Sequence, residues 1–138
     1  MDRFRSRALL LAALMLAASA CSNNAITAPT LVSPCPCTDT FSNTLSANGA
    51  FTHTFTITNL GSVTASIVSL APTSSQIVGF GLGVWNGTSC TMASSSDVAT
   101  TGSTINLNAS SAGILCVRLY DVGFITTPVL YTLQLVHP

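Results

Sequence analysis

The chain has 138 residues, of which 48% are hydrophobic and only 6% charged, with four Lys or Arg against four Asp or Glu. Lys and Glu are absent, and Arg3, Arg5 and Arg7 crowd the N-terminus, so beyond residue 20 the charged side chains are Arg118, Asp39, Asp97 and Asp121. One cation cannot displace the counterions of a polyphosphate, which excludes nucleic acid as a partner and gives an anionic lipid surface nothing to hold on the domain itself.

The first element is a signal segment. Three arginines precede an apolar run over residues 8–20, and small residues (Ala18-Ser19-Ala20) lead into Cys21. A basic region, a short apolar core and a small-residue cut make a secretory signal peptide over residues 1–20. The run is too short for a membrane-spanning helix, which needs roughly 18 apolar residues or more. A cysteine directly after the cut resembles the bacterial lipoprotein signal, in which that thiol is acylated and becomes the new N-terminus. The resemblance implies lipidation of Cys21 and anchoring in the cell envelope, at the outer membrane of a Gram-negative host because Ser22 follows the cysteine. Ala18 stands where the lipoprotein pattern usually has Leu, which leaves ordinary cleavage and a soluble secreted product as the alternative.

Removing residues 1–20 leaves about 118 residues, a length that suits one domain. Residues 21–38, with Pro29, Pro34 and Pro36, lack sustained periodicity and read as a lipidated start and an extended linker. At ~3.3 Å per residue the stretch from residue 22 to 38 reaches roughly 55 Å. Residues 39–138 read as the folded domain.

Within it, Phe51, His53, Phe55 and Ile57 alternate with threonines, the pattern of a half-buried strand. A turn at residues 59–62 leads to a second strand over residues 62–70, ended by Ala71-Pro72. Val78, Phe80, Leu82 and Val84 then alternate with Gly79, Gly81 and Gly83 before Trp85. Glycines on one face weaken a strand by themselves but admit close approach of another backbone or side chain. Asn86-Gly87 marks a turn, residues 94–102 read as a polar loop, and residues 103–108, 112–120 and 129–136 are the last strands. Short strands with a turn signal about every ten residues predict an all-β fold, an antiparallel β-sandwich of jelly-roll or Greek-key type.

From about Phe41 onward the order of features resembles the bacterial pre-peptidase C-terminal domain. The residues that carry the resemblance are Phe55-Thr-Ile-Thr, Gly61-Ser-Val-Thr-Ala-Ser, Ala112-Gly-Ile-Leu-Cys-Val-Arg-Leu-Tyr-Asp and Tyr131-Thr-Leu-Gln-Leu. It implies a β-sandwich attached to a secreted protein. The family often has paired Asp residues in its central strand, where this chain has Gly79-Phe-Gly-Leu-Gly-Val-Trp85, which puts any calcium site in doubt.

With Cys21 assigned to lipid, Cys35, Cys37, Cys90 and Cys116 remain for an oxidising compartment and allow three pairings. Cys90–Cys116 is the expected bond, because both lie in the folded domain and the other two lie in the linker. Cys35-Pro36-Cys37 is a local disulfide on one reading and a redox or soft-metal pair on another.

No catalytic set is expected. His53 lies in the apolar register of its strand, and His137 stands one residue from the end of the chain, where mobility is expected. No Gly-x-Ser-x-Gly elbow occurs. No cofactor or metal is expected. Trp85, Arg118 and Tyr120 are the candidate ligand-binding residues, for a glycan, peptide or protein partner. The function expected is that of an anchored, non-enzymatic binding or structural module; the alternative is a redox or soft-metal-handling envelope lipoprotein that uses Cys35 and Cys37.

Overall fold

The structure is a computed structural model and describes residues 36–138. The signal segment, Cys21 and Cys35 lie outside the described residues. Eight strands follow in order: β1 (Cys37–Leu45), β2 (Ala50–Ile57), β3 (Gly61–Ala71), β4 (Val78–Trp85), β5 (Cys90–Ala99), β6 (Thr104–Ala109), β7 (Gly113–Tyr120) and β8 (Val129–His137). They form two antiparallel four-stranded sheets, β1-β8-β3-β6 and β2-β7-β4-β5. Every pair of successive strands except the β4–β5 hairpin lies in opposite sheets, which is the jelly-roll order.

The core is what the alternation predicts. Ile67, Leu133 and Leu135 from the first sheet meet Phe80, Leu82, Val117 and Leu119 from the second, all essentially without exposure. Each such side chain contributes about 1.5–3 kcal/mol by leaving water.

The outer face of the first sheet is uncharged and mostly polar, with Leu130 and Val136 of β8 as exposed apolar exceptions. The register sets Thr40, Gln134, Ser66 and Thr104 side by side across all four strands, with Thr38, Val136, Thr64 and Asn106 in the adjacent row. Thr64 Oγ1 donates to Asn106 Oδ1 at 2.7 Å, and the hydroxyls of Ser42 and Thr132 lie 3.0 Å apart. Hydroxyl and amide residues do here what Lys and Glu do on most sheets.

Two expectations need correction. Residues 94–102 do not form a loop throughout, because β5 continues to Ala99. As an edge strand β5 bonds to β4 alone, and only Ala99 of its residues enters the core. Its Ser-rich sequence therefore carries no apolar period. His137, expected to be mobile, is the last residue of β8 and is buried, with Nε2 3.1 Å from Asp39 Oδ2 on β1. Strand pairing with β1 down to Cys37 holds the terminus in place.

Where β1 and β2 run alongside each other, aromatic rings close the gap between the sheets. Phe41 and His53 stack with centroids 4.7 Å apart, and His53 Nε2 lies 2.8 Å from the Tyr131 hydroxyl. Burial pushes His53 below its ordinary value of 6.5 and Tyr131 up to about 12. The unfolded chain therefore takes up the histidine proton first as pH falls. Stability from His53 is present above pH 6.5 and declines as pH drops from there through the lowered folded value. Urea midpoints at pH 7.5 and 5 are expected to show this loss, and His53→Phe to flatten the slope; an unchanged slope would assign it elsewhere.

Asp121, just past β7, organises the loop to β8. Its Oδ1 accepts the backbone N–H groups of Gly123, Phe124 and Ile125, and Oδ2 accepts that of Asn48 from the β1–β2 turn. The Asn48 bond is the main reason its carboxyl is held below the usual range, and the three loop amides add to it. Asp121→Ala is expected to cost about 1–2 kcal/mol at neutral pH, since charge-assisted bonds to two loops go together. Stability from Asp121 is present above the ordinary carboxylate value and lost as pH falls through its lower folded value. The parent's advantage over the variant should therefore shrink between pH 4 and 2 in denaturant titrations.

Candidate functional site on the outer face of the second sheet

The glycines of β4 define the site. Val78, Phe80 and Leu82 point into the core, which turns Gly79, Gly81 and Gly83 outward as a stripe with no side chains. Neighbouring groups fill the space. A Cβ on Gly79 would meet Tyr120 Cε2, Cζ and Cδ2 at 2.1, 2.3 and 2.4 Å. Three adjacent ring atoms at nearly equal distance mean that the ring lies face-on over the glycine. Its other face is turned away from the sheet. At Gly81 the Met92 methyl occupies the place of a Cβ (1.9 Å), and at Gly83 the backbone carbonyl oxygen of Thr91 does so (2.0 Å).

The approach at Gly83 curls the start of β5 over β4, where the ladder shifts register between Leu82 and Gly83. The curl carries Cys90 to Cys116 on β7, and the two are disulfide-bonded with Cα atoms 5.8 Å apart. The expected pairing is formed. The hairpin before it is closed by Asn86, whose Oδ1 accepts the backbone N–H groups of Thr88 and Ser89, while Gly87 takes the positive φ of 100° that the tight turn demands.

Arg118 lies between these features. It projects from the outer face of β7, in register with Gly81 on one side and Thr52 on the other. Met92, Arg118 and Tyr120 line a shallow pocket of about 210 Å3. The Tyr120 hydroxyl donates to Asp97 Oδ1, which fixes the ring's far end. Burial, the bond to Asp97 and the charge of Asp97 push the phenol above its ordinary value, with Arg118 opposing. The phenol stays a neutral donor. Among the described residues the one ion pair is His137–Asp39, so Arg118 pairs with neither Asp121 nor Asp97. Asp121 is turned toward loop amides instead.

Arg118 and Tyr120 are thus brought together and Trp85 is not. Trp85 ends β4 opposite Cys90, half-buried and outside the core. It stands four positions along β4 from Gly81, the partner of Arg118, and six from Gly79, the partner of Tyr120, roughly 13 and 20 Å along a strand. Met92 and Asp97 were missed. The glycine stripe was the available signal, because whatever covers it must come from the strands on either side.

No family model matches the chain, and no curated protein matches it. Among solved structures it is similar to the Yersinia pseudotuberculosis-derived mitogen, with a TM-score of 0.57 and 13% identity over 75% of this chain and 87% of that one. It is also similar to PliG of Aeromonas hydrophila, a periplasmic lysozyme inhibitor of g-type lysozyme, with a TM-score of 0.54 and 9% identity over 73% and 86% of the two chains. These likenesses show a shared β-sandwich fold.

Proposed function

We propose that the protein is an exported, lipid-anchored module of the bacterial cell envelope that recognises a ligand through the Tyr120–Arg118 face and catalyses no reaction. The observation that carries this reading is the Tyr120 ring laid flat over Gly79, with one face directed outward beside Arg118. A rigid aromatic with few rotors and an adjacent guanidinium are the side chains that contribute most to recognition surfaces. The three described carboxylates are engaged separately, Asp39 by His137, Asp97 by Tyr120 and Asp121 by loop amides. That arrangement supplies no paired acid and base.

Export is supported by the Cys90–Cys116 bond, since disulfides persist in oxidising compartments. Anchoring is supported by the resemblance of residues 8–21 to a lipoprotein signal. The two structural neighbours, named as a mitogen and a lysozyme inhibitor, are compatible with a sandwich that acts by contact. Mass spectrometry of the mature N-terminus is expected to find an acylated Cys21; an unmodified terminus would replace anchoring by simple secretion. On glycan and peptide arrays the parent is expected to bind a restricted set of spots. Tyr120→Ala should lower that signal about tenfold or more, and Trp85→Ala should leave it intact. A blank array for the parent would overturn the reading.

A further inference from the structure

We infer that the ligand of the Tyr120–Arg118 face is a sugar ring bearing a carboxylate, the uronic acid unit of an acidic polysaccharide. This rests on the recognition function proposed above and names the class of ligand.

Three features of the site select it. The first is the charge of Arg118. Among residues 36–138 it is the only Lys or Arg, and no described carboxylate lies within ion-pairing distance of it. It is half-buried, and at Gly81, its cross-strand neighbour on β4, the Met92 methyl fills the place of a side chain. A guanidinium in that setting presents a planar fork of donors matched to a single carboxylate, which it can bind through two parallel N–H···O bonds. A phosphate polymer needs several cations, and one is present.

The second feature is the ring. Tyr120 cannot stand up from the sheet, because its hydroxyl is tied to Asp97 and its inner face rests on Gly79. The outward face is flat and carries the negative side of the aromatic quadrupole. A pyranose presents axial C–H groups as a flat, weakly positive face of matching shape. An Asp or Glu side chain of a peptide brings the carboxylate without that face.

The third feature sets the orientation. Asp97 stands beyond the hydroxyl of Tyr120, and Arg118 lines the pocket beside the same ring. A ligand carboxylate is attracted at Arg118 and repelled at Asp97, so one acidic ring can seat in one direction. The pocket, about 210 Å3 and open to solvent, suits one ring of a longer chain. Thr52, opposite Arg118 on β2, adds a hydroxyl residue to the same outer face of the sheet.

The test is calorimetric titration of the oxidised domain with trigalacturonate and with a mannuronate trimer, beside the same oligosaccharides after reduction of the carboxyl groups to alcohols. The expected result is binding of at least one uronate, weakened about tenfold or more by carboxyl reduction and to a similar degree by Arg118→Gln. Arg118→Lys should recover part of the affinity, and Tyr120→Leu should lose it for both acidic and reduced sugars. Thermal melts of each variant within a few degrees of the parent exclude unfolding as the cause. Equal binding of acidic and reduced sugars would overturn the inference and leave recognition through Tyr120 in place. Binding of an acidic peptide through Arg118, with no sugar bound, would overturn it in favour of a peptide ligand. Failure of every uronate to bind would also overturn it, and the broader reading would then stand or fall on the arrays.

Discussion

Gly83→Ala is expected to destabilise the domain by about 3–4 kcal/mol and to lower its Tm by roughly 15 °C. The added methyl carbon would lie 2.0 Å from the carbonyl oxygen of Thr91 and 2.7 Å from its carbon. Backbone cannot rotate out of the way as a side chain can. Relief requires lifting the start of β5 from β4, and that movement pulls on the Cys90–Cys116 bond. Gly81→Ala is the matching control. Its new methyl meets chiefly the end of Met92, a flexible thioether, so a cost of no more than about 1 kcal/mol is expected. Thermal melts of the three proteins decide the matter. A Gly83→Ala melt within two or three degrees of the parent would mean that β5 is not pressed onto β4 as described.

Removing the disulfide as Cys90→Ala with Cys116→Ala should cost about 3–4 kcal/mol, because the bond closes a loop whose ends are 26 residues apart in sequence. A domain of this size has about 5–15 kcal/mol in total, so a large share would go. Cys116 is fully buried, and truncation there also removes packing. The size of the loss can be read from urea denaturation of the oxidised parent and the double variant. A further comparison is more specific. Gly83 and the disulfide hold the same stretch of β5, so combining Gly83→Ala with the two cysteine changes should cost less than the sum of the separate effects. Additivity within about 0.5 kcal/mol would show that the two contacts act independently.

Much of the fold was legible because the core strands obey a two-residue period. Phe51 to Ile57 alternates, and the structure buries Phe55 and Ile57, half-buries His53 and leaves Phe51 exposed near the start of β2. β8 is apolar at most positions, and it is the alternate residues Val129, Tyr131, Leu133 and Leu135 that are buried. The glycine stripe of β4 was legible as a place of close approach, though not which groups would approach. That depends on the shift of register between β4 and β5, and a bulge leaves no mark in a run of serines. The pairing of Cys90 with Cys116 followed from their both lying in the folded part. The buried His137 was illegible for the opposite reason: it is fixed by a partner, Asp39, 98 positions away. Arg118 and Tyr120 stood out by rarity and parity, whereas the separation of Trp85 from them is a matter of distance along one strand.

The wall of threonine, serine, asparagine and glutamine on the first sheet bears on how the molecule responds to its medium. Sodium chloride acts on folded proteins largely by damping interactions between exposed charges, and that face has none to damp. The melting temperature should therefore be nearly indifferent to sodium chloride over a range that shifts ordinary, highly charged domains. Excluded solutes such as sulfate or sucrose, which act on buried area, should still raise it. A domain built in this way keeps the same stability in brine and in fresh water, and it answers to hydration instead of ionic strength.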